Sequence, residues 1–363
     1  MKKIFCKNKF FTPLIYLPIV LSLIGLVFIF EASAIRASVL YKDSLFFLKH
    51  QFLWLIIGFF SMIIISCFDY RRLYSLSAIL LAMTFFLLIL VLLPGVGTRV
   101  GGAQRWLDFG FFNLQPTELA KFSLIIYLSS WFINKEKRRF LSFLLLVGSL
   151  IFLMISQPDM GTAIIIFLLS ITIYSISGLS LLNLLLFLPL AMVGFYFLIL
   201  IEPYRLNRLM AYLNPFSDPQ GIGYHLNQIL ISLSQGGLFG QGLASSRQKY
   251  LYLPEAHTDS IFPIIAEELG FLGGFFIIFL YLIFIYKIYH LARLSPDKLA
   301  KLIVSGIFVY FNLHIIINLA GVVNLFPLTG VPLPFLSYGG SNLVISYLLI
   351  GIMLNIEKRV KVC

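Results

Sequence analysis

TPLIYLPIVLSLIGLVFIF, residues 12–30, decides the fold: nineteen consecutive residues without one charged side chain. A helix rises about 1.5 Å per residue, so a run of this length is about as long as the hydrocarbon core of a bilayer is thick. Nine further runs of similar character follow, at 51–67, 74–93, 116–134, 140–156, 160–177, 181–201, 260–286, 302–325 and 341–356. Of 363 residues 60% are hydrophobic and 12% charged, and the mean hydropathy is +0.97. A soluble domain is about 45–50% apolar and about 25% charged. The sequence therefore predicts an all-α, polytopic integral membrane protein of about ten transmembrane helices, forming one transmembrane domain over residues 1–363. No soluble domain is expected.

Basic residues in short connections set the orientation. The even-numbered connections and both termini hold 17 basic residues, Arg71, Arg72, Arg139, Lys298 and Arg359 among them, against four acidic ones, Asp69, Glu136, Asp297 and Glu357. The opposite side holds ten basic and eleven acidic residues. Both termini are thus expected in the cytoplasm. The net charge of +12 is a mark of topology and not of a nucleic-acid partner. Lysines followed by an apolar stretch and Ala32-Ser33-Ala34 resemble a cleavable signal peptide, but the stretch exceeds the usual h-region of about 7–15 residues. An uncleaved first helix is the reading adopted. Cys6, Cys67 and Cys363 fall on the cytoplasmic side, where thiols stay reduced, so no structural disulfide is expected.

Unusual chemistry gathers on the external side. The longest non-spanning segment is the loop of about 202–258, and loops beyond about 12–15 residues are usually functional or disordered. Within it, Tyr224 to Gln235 has the polar and apolar spacing of a short surface helix. Its end, LYLPEAHTDSIF (251–262), places Glu255, His257 and Asp259 within five residues, just before an apolar run. Ionisable groups at a membrane edge are costly and mark function. Two other external stretches, PGVGTRVGGAQRWLDFGFFNLQP (94–116) and FPLTGVPLPFLSYGGS (326–341), are rich in Gly and Pro. There is no internal repeat to support an inverted-repeat transporter.

Seven stretches carry a family resemblance: GAQRWLDFG (102–110), QPTELAK (115–121), QPDMGT (157–162), NPFSDPQGIGYHLNQ (214–228), YLPEAHTDSIF (252–262), AEELG (266–270) and PLTGVPLPFLSYGGS (327–341). In this order the chain resembles the SEDS family, the FtsW/RodA cell-wall polymerases, over nearly its whole length. FEASA (30–34) with YKDSLFFLKHQ (41–51) and YLPEAHTD is more similar to the division branch, FtsW. GAQRWLD is more similar to the elongation branch, RodA. FtsW is favoured.

The resemblance implies a peptidoglycan glycosyltransferase at the outer face of the bacterial cytoplasmic membrane. Such an enzyme joins the disaccharide of lipid II to a growing glycan and releases undecaprenyl diphosphate. Asp259 matches the family's essential carboxylate, and a general base is what the attacking 4-hydroxyl requires. The competing reading makes Asp259 the N-cap of the eighth span. Glu255 and His257 are candidates to tune or orient it, although Leu251 stands where the family often has a further acidic residue. Arg205 and Arg208, at the external end of the seventh helix and on one face if helical, are candidate diphosphate ligands, with Lys249 and Arg247 as looser ones; snorkelling anchors are the alternative. Arg105, beside Trp106, is a candidate for a sugar or headgroup. Glu118, Lys121 and Asp159 read as a buried polar network, and Ser337 to Ser341 as a tight re-entrant turn near the site. His225 and His314 lack a second histidine at ligand spacing, so no transition-metal site is expected. By resemblance alone, a divalent cation, Mg or Mn, could be held with Asp259. The resemblance also implies a partner, a class B penicillin-binding protein. Two rival functions remain open at this point: a flippase for lipid II and a non-catalytic cell-wall scaffold.

Overall fold

The computed structural model describes residues 13–100, 103–110, 112–133, 139–179 and 181–360. Lysines 2–9, the basic cluster 135–138, Lys361, Cys6 and Cys363 lie outside the described residues. In the hydrocarbon, backbone groups must be satisfied internally, and helices do so within one segment. Each of the ten apolar runs is accordingly a helix: α1 (Pro13–Tyr41), α2 (Phe46–Cys67), α3 (Arg72–Leu92), α4 (Pro116–Trp131), α5 (Phe140–Ser156), α6 (Met160–Ile176), α7 (Leu181–Ile201), α10 (Ile261–Leu294), α11 (Lys298–Val322) and α12 (Gly340–Val360). Among the described residues five of them, α1, α2, α3, α10 and α11, are individually long and apolar enough to cross a membrane. α1 runs unbroken through Ala32-Ser33-Ala34. Cys67 is a free, exposed thiol.

The sequence foresaw one short helix in the loop of about 202–258, and the structure has two. α9 (Tyr224–Gly236) matches the amphipathic stretch. α8 (Pro203–Leu213) was read as the end of the seventh span. Pro203 starts it, at a first-turn position that suits proline, and its axis bends away from the end of α7 by 102°. The 94–116 segment also differs from expectation. It forms an antiparallel sheet of β1 (Gly97–Val100), β2 (Ala103–Asp108) and β3 (Asn113–Leu114) in that order. Ala103 and Leu107, on one side of β2, are buried and anchor it.

α4, α11 and α12 form the middle of the bundle and bury most of their length. α12 packs on α2, α3 on α4, and α10 on α11, α9 and α1. Where α1 meets the 327–339 loop, Gly25 allows backbone contact: a Cβ there would fall 2.7 Å from the Phe335 carbonyl oxygen. The chain can come this close only at a small residue. The same loop meets the 237–260 loop, where the Tyr338 N–H donates to the His257 carbonyl at 2.9 Å.

Candidate active site

Asp259 lies at the junction of that loop and α10. The N-cap of α10 is Ser260, which makes no side-chain capping bond. The capping role weighed for Asp259 is therefore not the one it plays. Besides its own backbone N–H, its carboxylate is met among the described residues by two long contacts, to the hydroxyls of Thr258 (3.4 Å) and Ser260 (3.5 Å). Its backbone, in contrast, is fixed. Asn318 of α11 donates from Nδ2 to the Asp259 carbonyl and to the Val331 carbonyl, each at 2.8 Å. One side chain thus staples the two external loops together. Gly330 (φ 72) brings the second loop up to the carboxylate, 3.6 Å from where its Cβ would be.

Burial pushes the Asp259 carboxyl above the usual carboxylate range; nearby His225 opposes this, Glu255 adds to it and Arg208 opposes it. A desolvated carboxylate with free lone pairs is a stronger base than one in water. His225, on α9, shares a hydrogen bond with Ser260 at 2.9 Å. His257 is buried between Phe47 and Tyr338, with ring centroids 4.4 and 5.6 Å away. Burial lowers its pKa to about 4, so it is a neutral imidazole at neutral pH. Its carbonyl accepts from the Tyr338 N–H at 2.9 Å, which makes it an orienting residue of the loop. Glu255, half-exposed, pairs with Arg36 at 3.6 Å and accepts from the Thr258 hydroxyl at 3.1 Å.

The two arginines of α8 part company. Arg205 is buried, donating to the Tyr204 hydroxyl (2.9 Å) and the Leu198 carbonyl (2.7 Å), and so locks α8 to α7. Arg208 is exposed, donates to the Leu328 carbonyl at 3.1 Å and acts electrostatically on Asp259. Of the pair, Arg208 alone is placed for a ligand.

Three other candidates are occupied by the protein itself. Lys249 is buried, 2.9 Å from Glu31 and 3.2 Å from Glu268. Arg105 hydrogen-bonds the Gln157 and Pro158 carbonyls and lies 3.8 Å from Asp159, pinning β2 to the α5–α6 turn. The Ser337 hydroxyl accepts from the Leu333 N–H at 2.9 Å and closes the turn it belongs to. Their donors and acceptors are spent on the fold, not aimed at substrate. Asp159, expected in one network with Glu118 and Lys121, instead caps α6 through Thr162 and faces Arg105. Glu118 and Lys121 pair at 2.7 Å deep in the bundle, with His314 3.0 Å from Lys121 and Asn342 3.1 Å from Glu118.

Sequence reasoning quoted AEELG but gave its glutamates no task. Glu267 accepts from Ser246 Oγ (2.7 Å), the Arg247 N–H (2.8 Å) and Ser232 Oγ (3.0 Å), and Glu268 from the Ala244 N–H (3.1 Å). Both are fully buried and hold residues 244–249. Adjacent buried acids with no basic neighbour in sequence were the available signal. Asn318 gave none. Among the described residues no group of three His, Cys, Asp or Glu could hold a metal ion, so the donor set present is not a preformed metal cage.

Residues 12–362 match the family model for cell cycle proteins of the FtsW/RodA/SpoVE type. The chain is 37% identical to stage V sporulation protein E of Bacillus subtilis over 351 residues, covering 95% of this chain and 96% of that one. It is also 37% identical to a probable peptidoglycan glycosyltransferase FtsW of Trichlorobacter lovleyi, covering 99% and 96%. In structure it is similar to a chain of a peptidoglycan synthase complex described for its coordination of polymerization and crosslinking, with TM-score 0.78, 26% identity and coverage of 96% and 97%.

Proposed function

The chain belongs to the FtsW/RodA/SpoVE family of cell cycle proteins, and on that premise we propose that it is a peptidoglycan glycosyltransferase that polymerises lipid II, with Asp259 as the general base. The observation that carries the base assignment is the half-buried Asp259 carboxylate, raised in pKa by desolvation, whose contacts to other side chains among the described residues are two long ones to hydroxyls. The acceptor 4-hydroxyl attacks the anomeric carbon of the donor sugar while its proton passes to Asp259. The bond from that carbon to the diphosphate breaks, and its electron pair leaves with undecaprenyl diphosphate. A single displacement at an α-linked donor gives a β-linked product. Diphosphate needs charge stabilisation more than a proton, and Arg208 is the exposed cation placed to give it.

A divalent cation would neutralise the leaving diphosphate; Mg²⁺ is usually held by one or two carboxylates together with phosphate oxygens, and Asp259 or Glu255 would supply them. The charge pattern of the connections supports an external site. The division branch is favoured by FEASA and YLPEAHTD, and the FtsW name of one relative agrees with it. A class B penicillin-binding protein is the partner proposed.

Purified chain given labelled lipid II tests the reading: glycan polymer from wild type and none from Asp259→Asn are expected. Polymer made by the Asn variant at near wild-type rate overturns the base assignment. Translocation of lipid II without polymer overturns the enzyme in favour of a flippase. A scaffold would keep its cellular function in Asp259→Ala.

A further inference from the structure

The chain from Lys249 to Glu255 runs beside the external end of α1, and two charged residues of that helix grip it. Glu31 accepts from Lys249 Nζ at 2.9 Å. Five residues on, Arg36 pairs with Glu255 at 3.6 Å, about 7.5 Å further along the helix axis. Between the grips at Leu251 (φ 70), and at the second grip itself, Glu255 (φ 49), the backbone is left-handed, a conformation that persists only where the surroundings enforce it. Buried Leu253 and the hydrogen bonds from the Leu253 N–H to the Gln248 carbonyl (3.0 Å) and from the Tyr224 hydroxyl to the Tyr252 carbonyl (2.8 Å) hold one side of it. A cavity of about 150 Å³, lined by Ala32, Arg36, Lys249, Leu253, Ala256 and His257, lies between this stretch and α1. Asp259 is not among the residues that line it. On the side that faces this cavity, the two ion pairs are what joins the stretch to α1. Lys249 is shared with Glu268 of α10 at 3.2 Å, and the surplus negative charge is met by the Ala244 and Ser246 N–H groups on Glu268.

We propose that Glu31 and Arg36 are positioning residues for glycosyl transfer: through Lys249 and Glu255, α1 holds the loop in the shape that presents Asp259 to the acceptor. This rests on the function proposed above. Glu31 is the stronger grip, since its partner is buried; Arg36 and Glu255 are both more than a third exposed, where an ion pair is weak.

Glu31→Gln keeps the size and removes the charge. In the solubilised full chain it is expected to lower kcat for lipid II polymerisation about 10–100-fold with KM little changed. Backbone amides of 249–260 should exchange hydrogen faster while those of the spans do not. Glu31→Asp should recover part of the rate. Arg36→Ala and Glu255→Ala should each cause a smaller fall, and the double variant no more than the larger single one. Wild-type kcat and exchange in Glu31→Gln overturn the proposal, as does faster exchange spread over the whole bundle. If Glu31→Gln does not accumulate, the Arg36 and Glu255 cycle decides, and additive losses overturn it. Hydrogen exchange needs no substrate, so a failed grip and a failed catalytic assignment give different results.

Discussion

Lys121 and Lys249 are both buried lysines held by glutamate, one deep among the spans and the other beneath the external loop. Lys121 meets Glu118 one turn away on the same helix, and α11 and α12 complete its shell with His314, Tyr310 and Asn342. Lys249 instead reaches Glu31 on α1 and Glu268 on α10. The first pair can form as soon as α4 does. The second exists only when three distant parts of the chain have come together. Similar chemistry thus serves the bundle in one place and the geometry of the loop in the other.

If that division of labour holds, substitutions in the two regions separate rate from stability. Asp259→Asn has the largest expected effect, a loss of about 10²–10⁴-fold in polymerisation with unchanged thermal unfolding in detergent. A drop in unfolding temperature as large as that of a core variant would erase the distinction. Next comes pH. Asp259 works ionised and its pKa is raised, so below that pKa the rate should fall about tenfold per pH unit, with the acid limb above the ordinary carboxylate range. Stability has the opposite sign. The contribution from neutral Asp259 is complete below the unfolded-state pKa and is lost as pH rises through the folded one. An acid limb at an ordinary carboxylate pH would contradict the burial seen here.

Lys121→Met should cost about 3–5 kcal/mol by leaving Glu118 buried and unpaired, measured as reversible unfolding, and joint replacement of Glu118 and Lys121 by apolar residues should restore part of it. Smaller still is Asn318→Ala. It frees two loop carbonyls, for about 1–3 kcal/mol, and because one of them belongs to Asp259 it should lower rate as well as stability. A pure stability effect would move Asn318 into the company of Lys121.

The contrast also explains what could be read from the sequence. Long apolar runs and the i, i+3 pair Glu118–Lys121 are local patterns, and the folded chain uses them locally; Asp159, expected in one network with that pair, instead caps α6 and faces Arg105. α8 was missed because eleven residues with two arginines look like the frayed end of a span. Arg105 and Lys249 were offered to substrate because a basic residue in an external loop shows its charge in sequence but not its partners. Those partners, Asp159 and Glu31, are 54 and 218 positions away. Asn318 carries no signal at all: one of two amides in an apolar helix, it became meaningful only when both loops were seen to end on it.

Gly270 breaks α10 with φ 70, and the break frees N–H groups that the loop then fills: Phe271 donates to the Gly237 carbonyl at 2.9 Å and Leu272 to that of Leu238 at 3.2 Å. A Cβ at 270 would fall 2.3 Å from the Gly240 nitrogen, so only glycine permits the join. This span borrows hydrogen bonds from a segment made before it. During biogenesis α10 is complete only once residues 237–240 have arrived at the same side of the bilayer, and a chimaera that exchanges the loop must bring its glycines along.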